Sequence, residues 1–475
     1  MDAKRMAFGI REDGSYLVPP DTPAQKFTDY ALQQHGIDEE LKAFLKERSR
    51  RKNITEFGPI PPVNPSDLTQ AGWGLIIPHD INPEIIQALK PLLDFRREQA
   101  KDLYKELIIY GPKTAAEFFT DNGIAPGPVD PSKGVPYYLL IVADPERIPF
   151  EFQYQLEVQF AVGRLHFDGP EEEALPRYRR YAQTIVSQPK RQRRASVFAV
   201  RNTGDFATIL SSTSLCPPIH NVFATQGSWQ SDLIGTGTDA NGEPPTPERL
   251  KQVLKSDKPS VLFTASHGIN YDNGHAKQLT QQGALVCQGW KASTAVKQEH
   301  LFTGADVPDD ADIAGMLGFT FACFSSGTPK MDDFAQYVQG QPSPQIAPRP
   351  FIAALPQALL GHPNGGAAAI VGHVERAWAS SFIWNGNVST TVFEVLAHQL
   401  TQGISIGHAM DSFGLRYAEM STWLTNTIHQ FQLYGQPLDP DAMSQNWTAN
   451  NDARNYIILG DPAATLRFEA NSDET

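Results

Sequence analysis

Two short apolar runs, each ending in a chemically active residue, constrain this chain more than any other feature. Ser260-Val261-Leu262-Phe263-Thr264-Ala265 leads into Ser266-His267-Gly268, and Met316-Leu317-Gly318-Phe319-Thr320-Phe321-Ala322 leads into Cys323-Phe324-Ser325-Ser326-Gly327. Short runs of this kind, rich in β-branched and aromatic residues and bounded by Gly or Pro, read as buried parallel strands. Open α/β sheets place their sites at the carboxyl edge of the strands. His267 and Cys323 are therefore expected to face one another across that edge.

The surrounding sequence supplies the sheet. Further strands are expected at Trp73–Ile77, Pro136–Ala143, Gln159–Phe167, Ser196–Val200, Ala284–Cys287, Ala367–Gly372 and Tyr456–Pro462. Helices are expected within Pro83–Tyr110 (one, or two broken at Pro91), at Pro170–Ser187, from Thr246-Pro247-Glu248, and at Asp306–Ala314, Phe351–Leu360, Thr390–Leu400 and Ser405–Leu424. Strands alternating with helices imply βαβ units, an α/β fold and a mainly parallel sheet sandwiched by helices.

On a prior of ~150 residues per domain, 475 residues suggest two or three units. Residues 1–70 read as a partly helical lead-in, with a helix from about Ile37 to Arg51 on the spacing of Leu41, Phe44 and Leu45 and a boundary loop at Gly58–Pro65. A sensor arm, a propeptide and simple packing against the core are all open for it, with packing the plainest. Residues 71–190 read as an N-terminal α/β subdomain, 195–467 as the catalytic domain and 468–475 as a polar tail. Lys190-Arg191-Gln192-Arg193-Arg194 reads as a solvated linker between the units, open to proteolytic nicking.

The formal net charge of −13, with no basic block, argues against nucleic acid as partner. Three scattered cysteines are too few for a disulfide framework and fit a reducing compartment. No apolar segment follows the charged Met1-Asp2-Ala3-Lys4-Arg5-Met6, and no apolar run reaches membrane-spanning length, so a cytoplasmic location is expected.

A cysteine attacks an acyl carbon as its thiolate, and a neighbouring imidazole accepts the thiol proton and delivers it to the leaving group. Charge developing on the carbonyl oxygen needs backbone N–H donors. These demands assign Cys323 as nucleophile, His267 as acid–base, and the amides of Gly268 and Cys323 as an oxyanion hole. Ser325-Ser326-Gly327 permits a tight turn or a helix start behind the thiol. No third member is evident to orient His267; an acid or a backbone carbonyl would serve.

With His267 placed 56 residues before Cys323, against roughly 50 in caspases, the chain resembles the caspase-like cysteine peptidases, within them the gingipain and CHAT-type branch. The resemblance rests on Thr264-Ala265-Ser266-His267-Gly268, Phe321-Ala322-Cys323-Phe324-Ser325-Ser326-Gly327-Thr328-Pro329 and Leu459-Gly460-Asp461-Pro462. Tyr138 to Pro149 and Val162-Gly163-Arg164-Leu165 add to it. It implies a caspase-hemoglobinase fold and endopeptidase activity on a protein partner, with an activating sensor as a further partner. Intracellular relatives act in antiphage defence or cell-death signalling, some on a gasdermin-like pore former. Two other readings stay open: a catalytically silent caspase-fold binding module, and a Cys–His hydrolase of small amides.

Metacaspase-type relatives carry a specificity Asp two residues before the Cys, and Phe321 stands there. Asp272, Asp332, Asp333, Glu375 and Arg376, with Trp378 and Trp384 as pocket walls, are the remaining pocket candidates, and their excess of acids favours a basic residue at the cleavage site. No cofactor or metal is expected. His275 and His373 read as structural. Asp306, Asp309, Asp310 and Asp312 offer oxygen ligands for calcium, as in some relatives, but lack the Gly and terminal Glu of an EF-hand loop.

Overall fold

The computed structural model describes residues 6–19, 21–34, 58–125, 127–187, 189–235, 243–334, 344–434 and 436–469. The helix expected at 37–51 and most of the polar tail lie outside these residues. The described strands, in chain order, are β1 (Gly9–Arg11), β2 (Trp73–Pro78), β3 (Tyr104–Ile109), β4 (Tyr138–Ile141), β5 (Ala161–Arg164), β6 (Arg194–Ala199), β7 (Gln230–Ile234), β8 (Val261–Ala265) and β9 (His267–Asn270). They continue as β10 (Leu285–Val286), β11 (Leu301–Phe302), β12 (Leu317–Phe321), β13 (Gly327–Thr328), β14 (Phe351–Ile352), β15 (Ala369–His373), β16 (Ile383–Trp384), β17 (Asn387–Val388) and β18 (Tyr456–Gly460).

Ten of them form one sheet in the order β3-β2-β4-β5-β18-β15-β12-β8-β6-β7. Every neighbouring pair is parallel except β15 with β18. The single antiparallel seam divides the sheet into two parallel halves that run in opposite directions. The strands next to the seam are buried throughout, as their uninterrupted apolar sequences require. The sheet is continuous across the boundary expected near residue 190, because the C-terminal β18 pairs with β5 on one side and β15 on the other. Helices complete the layers: Pro83–Ala100 packs on Glu171–Ser187, and Pro440–Arg454 packs on both Asp411–Tyr434 and Ala24–Gln34.

The two strands of this sheet that the sequence reading missed, β3 and β7, are its two edges. Each pairs on one side only, and each carries polar residues among its apolar ones: Lys105 and Glu106, exposed, in β3, and Gln230, exposed, with Asp232, half-buried and paired with Arg194, in β7. That polarity removes the apolar signature by which a strand is recognised. Pro83–Ala100 is a single helix with Pro91 inside it. The helix expected at Asp306–Ala314 is only a 3-10 turn at Gly304–Asp306, because Pro308 disfavours helical backbone at Val307. Phe351–Leu360 divides into β14 and a helix at Ala354–Leu360.

Within the basic segment 190–194, Lys190 and Gln192 are exposed but the arginines are tied into the fold. Arg191 is buried and donates to the carbonyls of Pro259, Asp312 and Ala314, and Arg194 opens β6 and pairs with Asp232. Two of the late and early motifs also resolve into structure. Arg164 on β5 is buried, reaches the carbonyls of Ala143, Ile148 and Pro149 and the side chain of Gln153, and so holds the Ala143–Pro149 loop in place. Burial lowers its guanidinium to about 10. Asp461, just past β18, accepts from Arg96 and from the indole of Trp73, tying the chain's last strand to its first βα unit.

Candidate active site

Four adjacent parallel strands deliver the chemistry to one edge. Asp205 follows β6, His267 follows β8, Cys323 follows β12, and the loop Val374–Ala379 follows β15. Registers Ala199↔Ala265 and Phe321↔Ala265 align the strand ends, so residues distant in sequence leave the sheet side by side.

His267 and Cys323 are both fully buried, at 0% exposure. His267 Nε2 lies 2.9 Å from Asp205 Oδ2. Since an ionised carboxylate only accepts, Nε2 donates to Asp205; Nδ1 is buried without a hydrogen-bond partner. Asp205 is in turn held by the Thr208 amide at 3.1 Å, the Thr208 hydroxyl at 2.5 Å and the Tyr16 hydroxyl at 2.6 Å. Burial works to raise this carboxyl, but His267 and these donors outweigh it and hold it far below the usual carboxylate range. Asp205 is the partner of His267 that sequence reading missed. Its signal was positional: an acid just beyond the end of β6, the sheet neighbour of β8, in Asn202-Thr203-Gly204-Asp205.

The assigned oxyanion amides converge on one oxygen, and that oxygen belongs to the chain itself. Gly268 N–H donates to the Phe8 carbonyl at 3.0 Å and Cys323 N–H to the same carbonyl at 3.1 Å. Phe8 N–H donates to Ala377 O at 2.8 Å, Ala379 N–H donates to Met6 O at 2.8 Å, and Ala7 pairs antiparallel with Trp378. Beyond Phe8 the chain continues as β1, parallel to β9 with Gly9 opposite Gly268, in a second sheet of order β1-β9-β10-β11. The lead-in, expected chiefly to cover the core, thus enters the site in an extended peptide conformation.

Two glycines make that approach possible. A Cβ on Gly268 would stand 1.9 Å from Cys323 O, and one on Gly9 would stand 2.9 Å from Cys323 Sγ. The thiol also accepts from Ala377 N–H at 3.3 Å. Burial pushes the Cys323 thiol well up, with the Ala377 amide and Arg376 only partly offsetting it. After Cys323 the chain makes a turn rather than a helix start: Phe324 sits in the left-handed region and donates to the carbonyl of Glu375, itself left-handed, before β13 begins.

The remaining pocket candidates divide. Phe321 and Trp378 adjoin the occupied site, through the Phe8 ring and the Ala7 backbone. Asp332 grips Arg376 with both carboxylate oxygens, Glu375 pairs with the same guanidinium, and Asp333 pairs with Arg454. Burial pushes Glu375 well above the usual carboxylate range, favouring its protonated form beside these acids. Asp272 is exposed in the turn after β9. Trp384 lies in the β16–β17 hairpin against Trp423. His275 stacks on Tyr271, and His373 bonds the carbonyl of Asp452. Asp306, Asp310 and Asp312 pair with Lys251, Lys255 and Lys258 respectively. Among the described residues no group of three or more His, Cys, Asp or Glu is placed to hold a metal, and no helix is long and apolar enough to cross a membrane.

Compared with protein-family models and with curated proteins, the chain matches none.

Proposed function

We propose that the chain is a caspase-like cysteine endopeptidase in which Cys323 is the nucleophile, His267 the acid–base and Asp205 the residue that orients the imidazole. The observation that carries this reading is the convergence of the Gly268 and Cys323 amides on a single peptide carbonyl beside the thiol. Donors fixed in this way stabilise the oxyanion without reorganising during reaction.

The chemistry follows from the groups in place. The Cys323 proton passes to His267 Nδ1 as Sγ bonds the substrate carbonyl carbon, and the resulting oxyanion takes hydrogen bonds from Gly268 and Cys323. The C–N bond then breaks, the leaving amine takes the proton from the imidazolium, and a thioester remains. Water, deprotonated by Nδ1, hydrolyses the thioester and restores the thiol. Asp205 stabilises the imidazolium at each stage. We assign the substrate to a protein partner, a gasdermin-like pore former in a cell-death or antiphage response being one such partner, with an activating protein to open the site.

One observation favours a second reading, a silent caspase-fold binding module: the thiol has no exposure and the site is filled. Reaction with an electrophilic peptide probe separates the two. Cys323-dependent labelling that is lost in Cys323→Ala and depressed in His267→Ala supports the peptidase; equal labelling of native chain and Cys323→Ala refutes it.

A further inference from the structure

Resting on the peptidase reading, we infer that the site selects peptides with an aromatic or large apolar residue on the acyl side of the reacting carbonyl and a small residue before it. The chain's own residues 6–9 show how a peptide lies there. Met6–Phe8 pairs antiparallel with Ala377–Ala379, the Phe8 carbonyl sits between the two amides, and Gly9 follows against Cys323 on the side where an amine would leave. Phe8 therefore holds the position of the residue whose carbonyl is attacked.

Its ring defines the pocket. Phe8 meets Phe321 edge-on at 4.7 Å, Phe382 at 6.0 Å and His267 at 5.9 Å between ring centroids, and Phe321 meets Phe382 at 5.5 Å. Edge-to-face packing at these separations is favourable beyond its buried area. The position two residues before the nucleophile, Phe321, is thus the ring under the selected side chain. The neighbouring acids are already committed: Asp205 to His267, Tyr16 and Thr208, Asp332 and Glu375 to Arg376, Asp333 to Arg454, and Asp452 to the Trp378 amide and Ser381. A Lys or Arg in place of Phe8 would bury its charge among rings, which is costly without a partner. This reverses the preference for a basic residue that acid counting favours. The residue before it, Ala7, is buried opposite Trp378.

The test uses three acyloxymethyl ketones, acetyl-Met-Ala-Phe, acetyl-Met-Ala-Arg and acetyl-Met-Ala-Asp, on the full chain. In each, the Cys323 thiolate forms an S–C bond and displaces the carboxylate, so labelling at Cys323 is read by peptide mass mapping. Residues 6–11 must leave before any probe binds, and that step is common to all three, so the ratio of rates reports the pocket. The Phe probe is expected to react about ten-fold faster or more than the others, and Phe321→Asp to shift the ratio toward Arg. An Arg or Asp probe as fast as Phe on the native chain overturns the inference and leaves the peptidase reading standing. If no peptidyl probe modifies Cys323 in the native chain or in Gly9→Val, whose side chain would clash with Cys323 and loosen the covering segment, while iodoacetamide does modify it there, the peptidase reading falls and this inference with it.

Discussion

Replacing Gly9 by Val is expected to loosen residues 6–11 from the site. A Cβ at Gly9 would stand 2.2 Å from Leu17 Cδ1, 2.9 Å from Cys323 Sγ and 3.0 Å from Cys323 Cβ, and valine adds two methyl groups beyond it. Leu17 is a flexible side chain that can turn away, but Cys323 is held at the end of β12, between β8 and β15, and its thiol accepts from Ala377 N–H. Overpacking of this kind costs about 1–3 kcal/mol. Four backbone hydrogen bonds hold Met6–Phe8 in place, at about 0.5–1.5 kcal/mol net each, and the β1–β9 pairing and the buried Phe8 and Ile10 side chains add to them, so the clash weakens the hold without abolishing it. At 1.36 kcal/mol per tenfold, the open population rises about 5- to 160-fold. The assay is iodoacetamide alkylation at Cys323, with buried Cys216 and Cys287 as internal references on the same molecule. Cys323 alone is expected to react faster by that factor. An unchanged Cys323 rate refutes the view that the segment covers the thiol, and a parallel rise at all three cysteines points to general unfolding instead.

Asp205→Asn removes the charge from a buried charge-assisted hydrogen bond worth about 1.5–3 kcal/mol, so peptide hydrolysis should show kcat reduced about 10- to 150-fold with KM little changed. The folded Asp205 carboxyl is held below its unfolded value, so its contribution to stability is complete above the ordinary carboxylate range and is lost as pH falls through the lowered value. Urea unfolding followed below about pH 4 should therefore show a shallower acid loss in Asp205→Asn than in the native chain. Arg164→Met orphans the carbonyls of Ala143, Ile148 and Pro149, and chemical denaturation should register a loss of about 3 kcal/mol or more. The thiol raised by burial should alkylate with a rate still climbing above about pH 9 in the native chain, and with a midpoint nearer about 8.5 in Gly9→Val.

The parts of this molecule legible in sequence are those governed by local pattern. The buried strands near the seam, β2, β4, β8, β12, β15 and β18, all announced themselves as apolar runs, and two of them carried His267 and Cys323 to their ends. Long-range geometry was not legible. Asp205 becomes a partner of His267 only because β6 and β8 lie side by side, a pairing between residues 62 apart. The edge strands hid behind their polar residues. Phe8 enters the site by pairing across the whole chain, with Gly268 and Ala377, and nothing in Met6-Ala7-Phe8-Gly9 distinguishes a ligand-like segment from an ordinary short strand. The acids near Arg376 were counted correctly but could not be seen to neutralise bases of their own.

The seam between the two half-sheets has a consequence for synthesis. β18, at residues 456–460, is the strand that joins β5 to β15. A growing chain therefore builds both halves while each still presents an unpaired buried edge, and residues up to 460 must emerge before either is covered. Open edges of that kind are templates for aggregation. The strand β15, whose following loop receives Met6–Phe8 and supports Cys323, gains its second neighbour only then. Cys323 is thus made well before the strand that completes the surroundings of its neighbouring loop, Val374–Ala379.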